Sequence, residues 1–290
     1  MDIWERLQNI DRRILYALLA LTISLPFLFA IPVPQAALSP QTQGFHDTIE
    51  ALAADPARRN KLVILSANFS ASTAAESLTQ TETMIRHLMR HRIRFAIFSF
   101  DPQGRELAQQ TAERLQSRYG YAYGRNYVNW GFRPPQAFVN TVKAMVRDIP
   151  TAIGTDYRGA RLAGMEAMKG VRGVEDIGAV IEVTASNSLP IWLQFFTRTG
   201  KEPIPTLFAC TAVMAPEAFP LLKSGQLQGM LVGLKGAIEY EGMLGERGFA
   251  TKASASLSYA HFLIVALIVL GNIGMLATRA RGRQPEKGAR

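Results

Sequence analysis

Residues Lys61–Asn68, KLVILSAN, set the terms for the rest of the chain. A short run that is continuously apolar, partly β-branched and closed by small polar residues reads as a strand buried on both faces of a parallel sheet. Five further runs of this kind follow: Arg94–Phe100, Tyr127–Trp130, Ile177–Thr184, Thr206–Thr211 and Gly229–Leu234. Segments with helical spacing of apolar residues separate them: Glu76–Arg92, Arg105–Tyr119, a helix from Pro135 to about Val146, Leu189–Thr199 and Ala215–Leu222. Ala237–Leu244 follows the last strand, and Phe45–Ala54 precedes the first. Strands alternating with helices need crossovers, which are right-handed, so helices cover both sheet faces. The expected fold is α/β: a doubly wound, mainly parallel, six-stranded Rossmann-like sheet. Its two halves are joined by the longest connection, Asp148–Asp176, and the expected strand order is 3-2-1-4-5-6.

Two uncharged apolar segments bracket this domain. Ile14–Val33 is ILYALLALTISLPFLFAIPV, and Tyr259–Ala277 is YAHFLIVALIVLGNIGMLA. Each is long enough as a helix to cross a hydrocarbon core of roughly 30 Å. The first is too long for the apolar region of a signal peptide, and no clean A-x-A site follows it. The expected order is a cytoplasmic arm (1–13), a transmembrane helix (14–33) and a linker with a short helix (34–60). The α/β domain (61–245), a linker (246–258), a second transmembrane helix (259–277) and a basic tail (278–290) follow.

Charge orients the two spans. The net charge is +9, of which residues 278–290 carry +4, residues 1–13 carry 0 and the middle carries +5. Arg6, Arg12 and Arg13 precede the first span, residues 34–57 contain no Lys or Arg, and Arg279, Arg281, Arg283 and Lys287 follow the second. The Lys/Arg bias puts both tails in the cytoplasm and the domain on the periplasmic or outer face. A domain of +5 has no dense basic stripe, so nucleic acid is not an expected partner. The lone cysteine, Cys210, excludes an intramolecular disulfide and reads as a buried, inert thiol. Asn272, flanked by Gly271 and Gly274, reads as a helix–helix contact, since small residues permit close approach and an amide in lipid seeks a partner.

In a sheet of this order a ligand belongs beyond the strands' carboxyl ends, where the winding reverses. Asn68, Ser70, Ser72, Asp101, Ser186, Asn187, Thr211 and Lys235 gather at those ends and form the candidate ligand crevice. Hydroxyls and amides there can hold a small polar ligand or an anion. The same residue types also cap helices and fill loops in any α/β protein.

Catalytic and cofactor motifs are missing. The loop after the first strand lacks G-x-G-x-x-G, and the chain has neither a P-loop nor a G-x-S-x-G elbow. None of the histidines His46, His87 and His91 falls in a loop after a strand. His87 and His91 stand four apart, a spacing that can bind metal, but the run His87-Leu88-Met89-Arg90-His91 lacks the H-E-x-x-H glutamate. With Arg86, Arg90 and Arg92 around them they read as a solvated basic face, so no metal site, cofactor or catalytic residue is expected. Trp192, Phe195 and Phe196 lie on a helix apolar on more than one side and are the candidate protein contact. The expectation is therefore a membrane-anchored, non-catalytic assembly subunit with a protein partner or further copies of itself. A ligand-binding or sensing domain is the alternative, and a hydrolase-like enzyme ranks third.

Overall fold

The structure, a computed structural model, describes residues 11–29, 37–246 and 248–282. The chain forms two compact units: one spans Gln35–Ala250, and the other combines Met1–Pro34 with Thr251–Arg290.

The second of these contains α1 (Arg12–Leu28), capped by the Asp11 carboxylate, which accepts from Arg13 N–H at 2.8 Å. Next in the chain comes α2 (Pro40–Ala54), which belongs to the larger unit. There it precedes β1 (Leu62–Asn68), α3 (Ala74–Arg90), β2 (Phe95–Ser99), α4 (Pro102–Tyr119) and β3 (Tyr127–Phe132). After β3 come α5 (Pro135–Met145) and α6 (Ile149–Ile153). The second half is β4 (Ile177–Thr184), α7 (Leu189–Phe195), β5 (Thr206–Cys210), α8 (Ala215–Lys223), β6 (Gly229–Val232) and α9 (Gly233–Met243). Helix α10 runs over Phe249–Gly282.

The six strands form one parallel sheet in the order β3-β2-β1-β4-β5-β6. Its axis is the β1–β4 pair, which after an irregularity between Leu62 and Val63 runs in register from Val63 opposite Ala179 to Asn68 opposite Thr184. Every residue of β1, β2, β4 and β5 is buried, which explains their unbroken apolar runs. Alternate residues serve opposite faces. Val63, Leu65, Ile181 and Val183 share a core with α2, α3, α4 and α9. Leu62, Ile64, Phe98 and Val180 share another with α5, α6 and α7. A third cluster joins Phe208, Cys210 and Met230 to Ala215 and Ala218 of α8.

Helix starts fall earlier than the apolar spacing suggests, because it does not register the polar first turns. Proline stands at the start of α2 and of α4, where its fixed φ suits the first turn and its missing N–H costs nothing. The expected linker 246–258 is corrected: α10 is one helix of 34 residues that begins at Phe249. Small residues such as Ala253, Ser254 and Ala255 carry no apolar stripe but are compatible with helix.

Within α10, Phe249–Arg279 is long and apolar enough to cross a membrane. It is the one such helix among the described residues. Helix α1 has 17 residues, and the last part of the expected first span, residues 30–33, lies outside the described residues. In the same unit, Ser256 Oγ donates to Ile23 O at 2.8 Å.

The expected contact role for Trp192 and Phe196 is overturned. Both are 0 % exposed and fill the core beneath β1 and β4. Their ring centroids are 5.6 Å apart, and Trp192 meets Phe138 edge-on at 5.8 Å. Pairs of this kind add about 0.5–1.5 kcal/mol beyond burial itself. Phe195 is half-buried under Lys143, whose Nζ lies 4.2 Å from the ring centre.

Helix α2 precedes β1 in sequence yet packs on β6, at the far edge of the sheet. Two glycines permit this. A Cβ on Gly229 would lie 2.1 Å from Phe45 N, and one on Gly44 would lie 2.6 Å from Gln228 O. Backbone cannot yield at such distances, so Gly229→Ala is expected to destabilise the domain by about 1–3 kcal/mol or more. Gly242→Ala, at an exposed α9 position with open space around it, is expected to be neutral or to stabilise by up to about 1 kcal/mol. Denaturant midpoints of the two variants test the contrast.

Candidate functional site

At the carboxyl end of the β1–β4 axis the structure places a residue that the sequence reading passed over. Glu182 stands in the middle of the apolar strand IGAVIEVT, opposite Ser66 of β1. Its side chain points to the face carrying Ile64 and Val180, and the residue is 0 % exposed. Asn68 Nδ2 donates to Glu182 Oε1 at 2.8 Å, Trp192 Nε1 donates to Oε2 at 2.8 Å, and Ser188 Oγ also donates to Oε1. No Lys or Arg of the described residues pairs with it. Burial without a counter-charge pushes the carboxyl up to about 7, against the opposing pull of the Ser188, Ser66, Asn68 and Trp192 hydrogen bonds. A lone acid inside a strand buried on both faces was the available sequence signal.

Asn68 is the centre of this network. Its Nδ2 also donates to Ser66 Oγ at 2.7 Å, while its Oδ1 accepts from Phe100 N–H at 2.9 Å and from Ser99 Oγ at 3.1 Å. One amide thus ties the ends of β1, β2 and β4 together, and it is 2 % exposed. Thr184 Oγ1 accepts from Ser186 N–H at 2.9 Å and donates to Asn68 O at 3.2 Å. Ser186 is therefore folded back on its own strand. The crevice is filled by the groups expected to line it.

The other residues of the expected crevice are dispersed. Asp101 caps α4, accepting from Gln103 N–H at 2.8 Å and Gly104 N–H at 3.1 Å. Ser70 and Ser72 share a 2.7 Å hydrogen bond on an exposed turn. Asn187 is exposed, and Thr211 is buried at the end of β5. Lys235 leaves the group altogether: its Nζ binds Glu239 at 2.9 Å and Ser39 Oγ at 3.2 Å, at the start of α2. A cavity of about 220 Å³, lined by Arg58, Lys61, Glu175, Lys201 and Glu202, opens at the opposite, amino ends of the strands.

A second polar cluster lies where α2 and α3 meet α9. His87 is not on a solvated face, as the isolated helix suggests, but is 0 % exposed. Its Nδ1 lies 2.7 Å from Tyr240 Oη on α9, and its Nε2 lies 3.0 Å from Glu50 Oε1 on α2. His91 Nε2 also lies 3.0 Å from Glu50 Oε1, and His46 Nε2 lies 3.5 Å from it. Burial, more than its partners, lowers the His87 pKa to about 4, so the ring is neutral at pH 7. Among the described residues, His46, Glu50 and His87 form a set able to share a metal ion, with donor atoms within 4.8 Å of one another. The sequence signal was a pair of four-residue spacings, His46 to Glu50 and His87 to His91, on two different helices.

Neither protein-family models, nor curated proteins, nor solved structures provide a match to this chain. Its chemistry is therefore read from its own geometry.

The Glu182 network makes stability depend on pH. A carboxyl whose folded pKa of about 7 exceeds its unfolded value of 4.5 stabilises fully below the unfolded value. That contribution is lost as pH rises through about 7. Compared with Glu182→Gln, the wild type is expected to lose on the order of 2–3 kcal/mol between about pH 5 and pH 8. Denaturant titrations of both proteins in detergent measure this. His87 titrates in both, so the difference between them isolates Glu182.

Proposed function

We propose that this chain is a membrane-tethered, non-catalytic subunit whose α/β domain lies outside the cytoplasm and docks a protein partner or further copies of itself. The observation that carries this reading is the closed switch point. Where a doubly wound sheet would receive its ligand, Asn68, Ser188 and Trp192 each bond to Glu182. Polar groups satisfied within the chain there favour docking at the domain's surface.

The anchoring follows from composition and exposure. Phe262, Val265, Ile268 and Leu276 of α10 are exposed along a helix that suits lipid. With residues 14–33 as a second span, the Lys/Arg pattern leaves both tails in the cytoplasm. Asn272 is exposed on α10, while Gly274 is buried and Gly271 half-buried. An exposed amide in hydrocarbon gains by pairing with another chain, which supports assembly within the membrane.

A second reading, a polar-ligand or sensing domain, is favoured by one feature: the neutralisable Glu182 carboxyl sits at the switch point itself. It requires the Asn68 network to open.

Native mass spectrometry of the full chain in mild detergent separates the two readings. The assembly reading expects a species of fixed stoichiometry larger than the 31.9 kDa chain, partly dissociated by Asn272→Leu. A monodisperse monomer that retains a small bound molecule, released by Asn68→Ala, would establish the second reading. Limited proteolysis of right-side-out vesicles checks the orientation, with the α/β domain cut and the basic tail spared.

A further inference from the structure

We propose that His46, Glu50, His87 and His91 bind one zinc-class divalent metal ion, which locks α2 onto α3. Two independent features of the cluster point to this.

The donor atoms converge. Nε2 of His87, of His91 and of His46 stand 3.0, 3.0 and 3.5 Å from one atom, Glu50 Oε1. A tetrahedral ion with bonds of about 2.0–2.2 Å holds its donors about 3.3–3.5 Å apart. The distances from the carboxylate to the imidazoles are thus close to tetrahedral edges. The His46, Glu50 and His87 donors already lie within 4.8 Å of one another. His91, at the end of α3 with a side chain 27 % exposed, reaches the same carboxylate oxygen at 3.0 Å and is the fourth, outer ligand of the proposal.

The far side of each inner ring is already held. A metal-bound histidine characteristically gives its other N–H to an oxygen. His87 has Tyr240 Oη at 2.7 Å from Nδ1, and His46 has Asp47 Oδ1 at 3.2 Å from Nδ1. Both rings therefore present Nε2 to Glu50. The neighbouring arginines do not oppose a cation there. Arg86 is engaged by Glu82 and Glu246, and Arg90 donates to Leu244 O at 2.8 Å. Three imidazoles and one carboxylate suit Zn²⁺ and its neighbours, whereas Ca²⁺ and Mg²⁺ take oxygen ligands. Four protein ligands close the shell, so the ion has a structural role.

Full-length protein in detergent, stripped with a chelator, is titrated with Co²⁺ alone. The expected result is one Co²⁺ per chain, with the intense visible bands of a tetrahedral site, displaced by Zn²⁺. His46→Ala and Glu50→Gln are each expected to weaken binding by more than about tenfold. Tyr240→Phe is expected to weaken it by about 10–100-fold while keeping the band shape. Wild-type protein that shows no tetrahedral Co²⁺ spectrum overturns the proposal, and that result needs no variant to fold. Co²⁺ binding unchanged in both His46→Ala and Glu50→Gln overturns it as well, because the donors would then lie elsewhere in the chain.

Discussion

The pairing of β1 with β4 is the constraint on which the domain rests. These strands belong to different halves of the chain, and their pairing joins the two halves into one sheet. Their register, Val63 to Asn68 against Ala179 to Thr184, puts Ser66 beside Glu182 and Asn68 beside Thr184. Buried polar groups are tolerated only when bonded, because each unsatisfied one costs about 1–3 kcal/mol. The register therefore serves both the apolar core and the polar network. A slip of one residue would turn the apolar set to the wrong faces and strand the Glu182 carboxyl among hydrocarbon.

The same network engages the polar groups that stand at the sheet's switch point. Doubly wound sheets bind ligands where the winding reverses, because neighbouring loops splay apart there. In this domain the Asn68 amide bridges β1, β2 and β4 across that gap. Trp192 closes it from below and is held by Glu182. Hydrogen bonds that elsewhere would orient a ligand are spent within the chain.

Helix α2 provides a second structural theme. It covers β6 at the edge of the sheet, where unpaired strand groups would otherwise invite association with another chain. Its contact is backbone-close through Gly44 and Gly229. Its middle turns meet α3 and α9 through His46 and Glu50, within the same helical layer. His87, which looks like part of a charged surface in the sequence, becomes an interior residue because of this crossing.

The α/β class, the strand segments, their order and the buried Cys210 were legible in the sequence. Runs such as KLVILSAN and IGAVIEVT, alternating with helical segments, suit strands buried on both faces of a parallel sheet, and handedness then leaves few topologies. The long apolar segment within α10 was equally plain, since its length and composition suit a membrane span. Local pattern could not reveal which side chains meet. Trp192 and Phe196 read as a possible surface, and only the packing of α7 under β1 and β4 buried them. Asn68 and Ser186 were named at the right place, but whether they would line a gap or fill it depended on distances between three strands. Glu50 and His87 are separated by 37 residues, and nothing in either helix refers to the other. Periodicity reports what one element prefers, whereas contact between elements is decided by the simultaneous packing of all of them.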